Sequence, residues 1–166
     1  TIPYRDSRFF QHTELHIDPT ATAIIGEILA PGRTAHEGEQ HHYTIYYSQL
    51  EVTDLDGKLL VADTIKLEPK LHSPKSPAIL GEMDALGVLY VFTRQIPAEE
   101  LTRVLRRALA SHDQSISGVS ALPNNAGVSV RILGSTAYIV ERARTIAWDA
   151  ARQAIFGVPA PNLRKA

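Results

Sequence analysis

The sequence of 166 residues contains no cysteine. That excludes disulfides and thiolate metal sites, although it does not place the chain in a compartment. No apolar run approaches the roughly 18 residues of a membrane-spanning helix. Charge of one sign is not in excess either. Lys and Arg number 17 against 18 Asp and Glu, a net charge of −1, which gives no reason to expect nucleic acid or an anionic membrane surface as partner. Several catalytic signatures are missing. There is no phosphate-binding loop, dinucleotide fingerprint or H-E-x-x-H pair, and "SGVSAL" (117–122) lacks the nucleophile-elbow pattern. The opening "TIPYRDSRFF" has no basic-then-apolar leader pattern. It starts on Thr1 and the only methionine is Met83, so a fragment of a longer protein is expected.

What remains is an ordinary globular composition, 44% apolar and 21% charged, long enough for one domain with a real core. The first two thirds read as β structure. "TELHI" (13–17) alternates, "ATAIIGEIL" (21–29) is a half-buried or buried strand, and "GVLYVFT" (87–93) is a continuous apolar run, like a central strand. Between them, 43–67 holds two β-branched and aromatic runs around Asp56-Gly57, a type I′ signal for a hairpin. The proline-rich 68–79 reads as loop or edge. From residue 96 the period changes. Pro97, Glu99 and Glu100 open an amphipathic helix over 96–112, with arginines at 103, 106 and 107. Strands follow over 115–134 with Pro123-Asn124-Asn125 as their turn. A second helix spans 135–157, with Ser135 or Thr136 as N-cap and Gly157 at its C-terminus. The tail "VPAPNLRKA" is expected to protrude. The fold class is therefore mainly β, strands followed by two helices toward the C-terminus, with no internal repeat and no domain boundary.

One stretch concentrates chemistry. "APGRTAHEGEQHHY" (30–43) carries His36, His41, His42, Glu37, Glu39 and Arg33 around Gly32 and Gly38. His and carboxylate suit nickel, zinc or iron. A small cupin-like β-barrel enzyme needs two histidines at i and i+2, however, and His41 and His42 are adjacent, so on a strand they face opposite ways. "HTELH" does place His12, Glu14 and His16 on one strand face, which is equally what an exposed face looks like. Asp6, Glu37, Glu39, Asp54 and Asp63 are possible acids or bases that nothing in the sequence pairs.

A series of motifs changes the reading. "IPYRDSRF" (2–9) is followed by "APGRTAHEGE" (30–39), then "VADTIKLEP" (61–69), then "GVSALPNNAGVSVRILG" (118–134) and "VPAPNLR" (158–164). In this order the chain resembles UreD (also called UreH), the urease accessory protein family. The resemblance implies a single UreD-like domain over 1–166, lacking the family's N-terminal β-rich part. It also implies an irregular β-helix-like or layered-sheet architecture. It implies further a cytoplasmic, non-catalytic scaffold between apo-urease and the helical accessory protein UreF, which holds the nickel-carrying GTPase UreG. Ni²⁺ would then be cargo in transit rather than a permanent cofactor, passing through an internal channel. Residue by residue, Asp6 matches the acid of the family's "RDAR" segment. Glu39 matches its Gly-Glu, with Glu37 as the alternative if the turn bulges. Gly32, Arg33 and Gly38 form the structural frame.

A conduit needs few oxygen or imidazole ligands at a time, because a closed four-ligand site would hold the ion too firmly to release it. Asp6, Glu39, Glu37, His36 and His41 are the transit candidates on that argument. Glu39 could instead accept a hydrogen bond from Arg33, ordering the turn. Arg142, Arg144, Arg152, Arg164 and Lys165 on the last helix and tail are candidates for meeting the helical partner, Arg152 and Arg164 foremost. The alternative function is a His/Glu metal-binding β-barrel enzyme.

Overall fold

Period-two alternation gives each strand two faces, and the way those faces are buried sorts the strands into layers. The structure, a computed structural model, describes residues 1–35, 38–112 and 114–161. Strands β1 (Arg8–His16), β2 (Ala23–Leu29), β3 (Ile45–Thr53), β4 (Leu59–Leu67) and β5 (Ala85–Phe92) precede helix α1 (Ala98–Leu109). Strands β6 (Ser115–Ala121) and β7 (Gly127–Gly134) follow, joined by a 3₁₀ turn at Pro123–Asn125, and helix α2 (Ala137–Phe156) comes last. The element order is the one read from the sequence. The architecture is the layered alternative, two sheets ordered β1-β3-β4 and β2-β5-β7-β6.

β5 lies at the centre because it has no polar face. Val88, Tyr90 and Phe92 point to the three-stranded sheet and pack with Leu50, Val52 and Val61. Leu89 and Val91 point the other way, into a core shared with Leu101, Leu105, Val140 and Ala147 of the two helices. The stack is thus sheet, sheet, helices. In β3 the inward residues Tyr46, Ser48, Leu50 and Val52 are buried while the intervening ones are half exposed. β1 starts at Arg8, earlier than the "TELHI" pattern alone marks, because it pairs in parallel with β3 from Ile45 onward and Phe9 stacks on Tyr46 at 5.3 Å.

Two local expectations are corrected. The β3–β4 hairpin is real, but its turn is not type I′, since among the described non-glycine residues with positive φ Asp56 does not figure. Gly57 (φ 80) takes the left-handed position at the end of a turn closed by Gly57 N to Asp54 O, and the Asp54 side chain accepts from Asp56 and Lys58 backbone N–H groups. The tail does not protrude over its described part. Ala160 N donates to Asp149 at 2.7 Å and Arg152 Nε to Pro159 O at 3.2 Å, laying residues 158–160 back along α2. The caps of α2 are as read. Thr136 Oγ1 accepts from Ile139 N, and Gly157 (φ 69) ends the helix.

Candidate functional site

The Gly/His/Glu stretch is the loop from β2 to β3, and a third hydrophobic cluster anchors it. Leu29, Tyr43, Tyr46 and Leu67 are buried together there. The chain crosses itself at Gly32 (φ 141), where any Cβ would come within 2.7 Å of Glu39 O. Gly38 is left-handed at φ 65. His41 N donates to Pro31 O at 2.6 Å, closing the loop, and Asp6 N donates to His42 O, stitching the N-terminal segment to it.

That closure sets Glu39, only 3% exposed, inside a clasp of cations. Arg33 donates twice to its carboxylate, Nε at 3.0 Å and Nη2 at 2.8 Å, and Arg5 Nε lies 3.6 Å away. The Arg33 guanidinium also sits 4.6 Å over the Tyr4 ring. The hydrogen bond from Arg33 holds the Glu39 carboxyl below its ordinary pKa, against the opposing effect of burial. Asp6, exposed and at φ 58, is held by Lys70 Nζ at 2.8 Å, and this bond lowers its pKa too. His41 (φ 55) is tucked under the loop. Its Nε2 lies 3.4 Å from Asp84 Oδ1, an oxygen shared with Lys75 at 2.7 Å, and its Nδ1 has no partner among the described residues. Burial holds the His41 imidazole below its ordinary pKa, outweighing Asp84. Burial likewise pushes the neighbouring Tyr43 phenol up to about 12.

The sequence candidates therefore separate. Asp6 and His41 share an open groove of about 300 Å³ with Arg5, His42 and Lys70, whereas Glu39 is enclosed behind Arg33. Glu37, His36 and Arg164 lie outside the described residues. Arg152 holds the tail and sits over Phe156. His12, Glu14 and His16 are on the exposed face of β1. There His12 lies 3.6 Å from Glu14 and 3.8 Å from Glu51, while His16 bonds Thr53. Among the described residues no three His, Asp or Glu side chains converge with metal-holding geometry. The sheets form two open layers rather than the closed barrel of the cupin-like alternative.

A second polar feature was not singled out in the sequence. Between the sheets lies a cavity of about 300 Å³ with Glu27 on one wall and Asp63 on the other, lined further by Gln11, Thr13, Ser48 and Tyr90. Ser48 donates to Glu27 at 3.0 Å, as does Thr1 Oγ1 at 3.2 Å. Asp63 accepts from Tyr90 and from Arg131 across the layers. The usable signal was Glu27 itself, the one acid in the apolar run 21–29. Its meeting with Asp63 needs the two sheets stacked.

Comparison with known proteins adds a family to this geometry. The sequence profile described as "UreD urease accessory protein" matches residues 1–166. The chain is 36% identical over 166 residues to the urease accessory protein UreD of Natronomonas pharaonis, covering 99% of this chain and 54% of the relative. It is 36% identical to UreD 2 of Streptomyces griseus, covering 99% and 56%. It is 35% identical over 165 residues to UreD of Photorhabdus laumondii, covering 97% and 50%. The chain spans about half the length of the curated relatives it matches.

Proposed function

The chain belongs to the UreD family of urease accessory proteins, and on that premise we propose that it serves urease maturation as a cytoplasmic, non-catalytic scaffold. It binds apo-urease and the helical accessory protein UreF, reaches the GTPase UreG through UreF, and helps pass Ni²⁺ to the urease active site. The observation that carries this reading is the family match over the whole chain. No described helix is long and apolar enough to cross a membrane.

Physical chemistry supports transit more than storage. A half-open space between the sheets, with one carboxylate on each wall and hydroxyl and amide oxygens between, offers hard, weak donors to a divalent ion, without the thiolate or multi-imidazole set that would retain nickel. At the loop, the candidate donors are the surface carboxylate of Asp6, once it exchanges Lys70 for the ion, and the buried Nδ1 of His41, which has no partner among the described residues. Glu39 would have to exchange Arg33 for the ion, so in this reading it gates the loop rather than carrying cargo.

The test is nickel content of urease after maturation with wild-type chain, with Glu39→Ala, and with the pair Glu27→Gln and Asp63→Asn. The complex with urease and UreG should still co-purify, while nickel per urease site falls several-fold. Urease loaded to wild-type level by all three proteins would remove these acids from the route. Failure of the wild-type chain to co-purify with urease or any accessory protein would end the scaffold reading.

A further inference from the structure

The two sheets are unequal, and their offset leaves a step. The three-stranded sheet ends at β4, while the sheet beneath it continues past β5 through β7 to β6. Cross-strand pairs share a face. The register therefore puts Leu133, Arg131 and Ser129 of β7 on the face of Val88 and Tyr90, with Ile116, Gly118 and Ser120 of β6 beside them. Val88 and Tyr90 are buried, Leu133 and Ser129 are half-buried, and the three β6 residues are exposed, Ile116 at 59%. Cover runs out across the sheet, and β7 with β6 forms a bare ledge about 10 Å wide. Asp63 of β4 accepts from Arg131, which fixes β4 along the inner border of the ledge. We propose that an extended segment of a partner protein adds to the free edge of β4 as a fourth strand and lies on this ledge, with apolar side chains at alternate positions facing down. The proposal requires no part of the maturation reading above.

The edge selects an extended chain. Every second residue of an edge strand turns its N–H and C=O outward. Along Leu59–Leu67 no outward backbone group has a partner among the described residues, and the strand holds no proline. A helix, with its own backbone groups already paired, would leave that edge unmet. The β6 edge differs, because Arg106 donates to Val119 O through Nε at 3.2 Å and Nη2 at 2.8 Å. The β1 edge is open too, but β2 is the last strand of the other sheet, so no ledge continues below it.

The ledge selects the side chains. A Cβ on Gly118 would meet nothing within 4 Å, so a large apolar or aromatic side chain of the added strand fits over it beside Ile116. A second copy of this chain fits badly. Antiparallel pairing of two β4 strands keeps both lower sheets on one side, where the two overhanging ledges would occupy the same space. Parallel pairing turns one copy over and lays its exposed Thr64 and Lys66 on Ile116, polar against apolar.

The experiment titrates the whole chain into a fluorescein-labelled, end-capped peptide, Thr-Val-Thr-Phe-Thr-Val-Thr. Two further peptides carry N-methyl groups, one on its threonines and one on its Val and Phe residues. In an added strand only one of these sets faces β4, so one methylated peptide should raise Kd at least tenfold and the other should not. Replacing Phe by Ser should weaken binding several-fold. Gly118→Lys and Ile116→Lys, both at exposed positions, should each raise Kd several-fold with an unchanged melting temperature. Hydrogen exchange should show new protection within Leu59–Leu67 when the peptide binds. Equal effects of the two methylated peptides, unchanged Kd in both variants, or protection confined to β1 would each overturn the site, as would the absence of saturable binding. Sedimentation showing a wild-type dimer that Gly118→Lys breaks would overturn it in favour of self-pairing. None of these outcomes bears on co-purification with urease, so the scaffold reading stands or falls separately.

Discussion

Three cationic nitrogens from Arg33 and Arg5 surround the Glu39 carboxylate in a nearly dry position, so the acid stays ionised and its side chain fixed. Such an arrangement orders the loop and presents the groove residues Asp6 and His41 beside it. The imidazole of His41 is the titrating group to follow. It faces Asp84, which favours its cation, and Lys75 and His42, which oppose it, but burial prevails and lowers its pKa from 6.5. The unfolded chain takes up this proton at the ordinary value, while the folded chain resists until lower pH. The unfolded state is therefore favoured progressively as pH falls below about 6.5. Asp6 and Glu39, with depressed values, withdraw their contribution only in the more acidic carboxylate range. The melting temperature should thus drop between pH 7.5 and 5.5 in the wild type and drop less in His41→Gln. Equal drops in the two proteins would show that His41 does not couple to folding.

At the scale of elements, helix α2 lies close to the sheet because small residues face each other. A Cβ on Gly87 would stand 2.4 Å from Val140 Cγ1, and one on Gly134 3.0 Å from Val140 Cγ2, with Ala143, Ala147 and Ala151 fully buried along the same side. Gly87→Ala should force the helix outward at a cost of about 1–3 kcal/mol, seen as a melting temperature lower by roughly 2–10 °C. Gly118→Ala on β6, where a Cβ meets nothing within 4 Å, is the control and should not lower it. Matching losses in both would show that the loss at Gly87 does not come from the helix contact. The helices themselves were legible in the sequence, since Pro97, Thr136 and Gly157 mark their ends in local chemistry. The β3–β4 turn was legible as a turn but not as a type, because the flanking pairing, Val52 with Val61 and then Thr53 with Leu59, decides how many residues the loop keeps.

Over the whole molecule, β5 joins two cores, so neither layer can melt without exposing it. Denaturant unfolding followed by Trp148, the single tryptophan, reports the helix–sheet layer. Near-ultraviolet dichroism of the buried tyrosines 43, 46 and 90 reports the other layers. The two curves should coincide, and separated midpoints would mean that the layers fold independently. The sequence by itself determined where strands and helices lie, which strand is central, the helix caps and the family, because each is written in short-range periodicity or in motifs that keep their order. Only the tertiary structure decided that β1 runs parallel to β3, that Glu27 and Asp63 face one cavity, that Glu39 is enclosed by arginines, and that Arg152 ties down the tail. These depend on which apolar faces meet across the molecule. That choice is made by burying all the faces at once, a global balance that no local stretch of chain records.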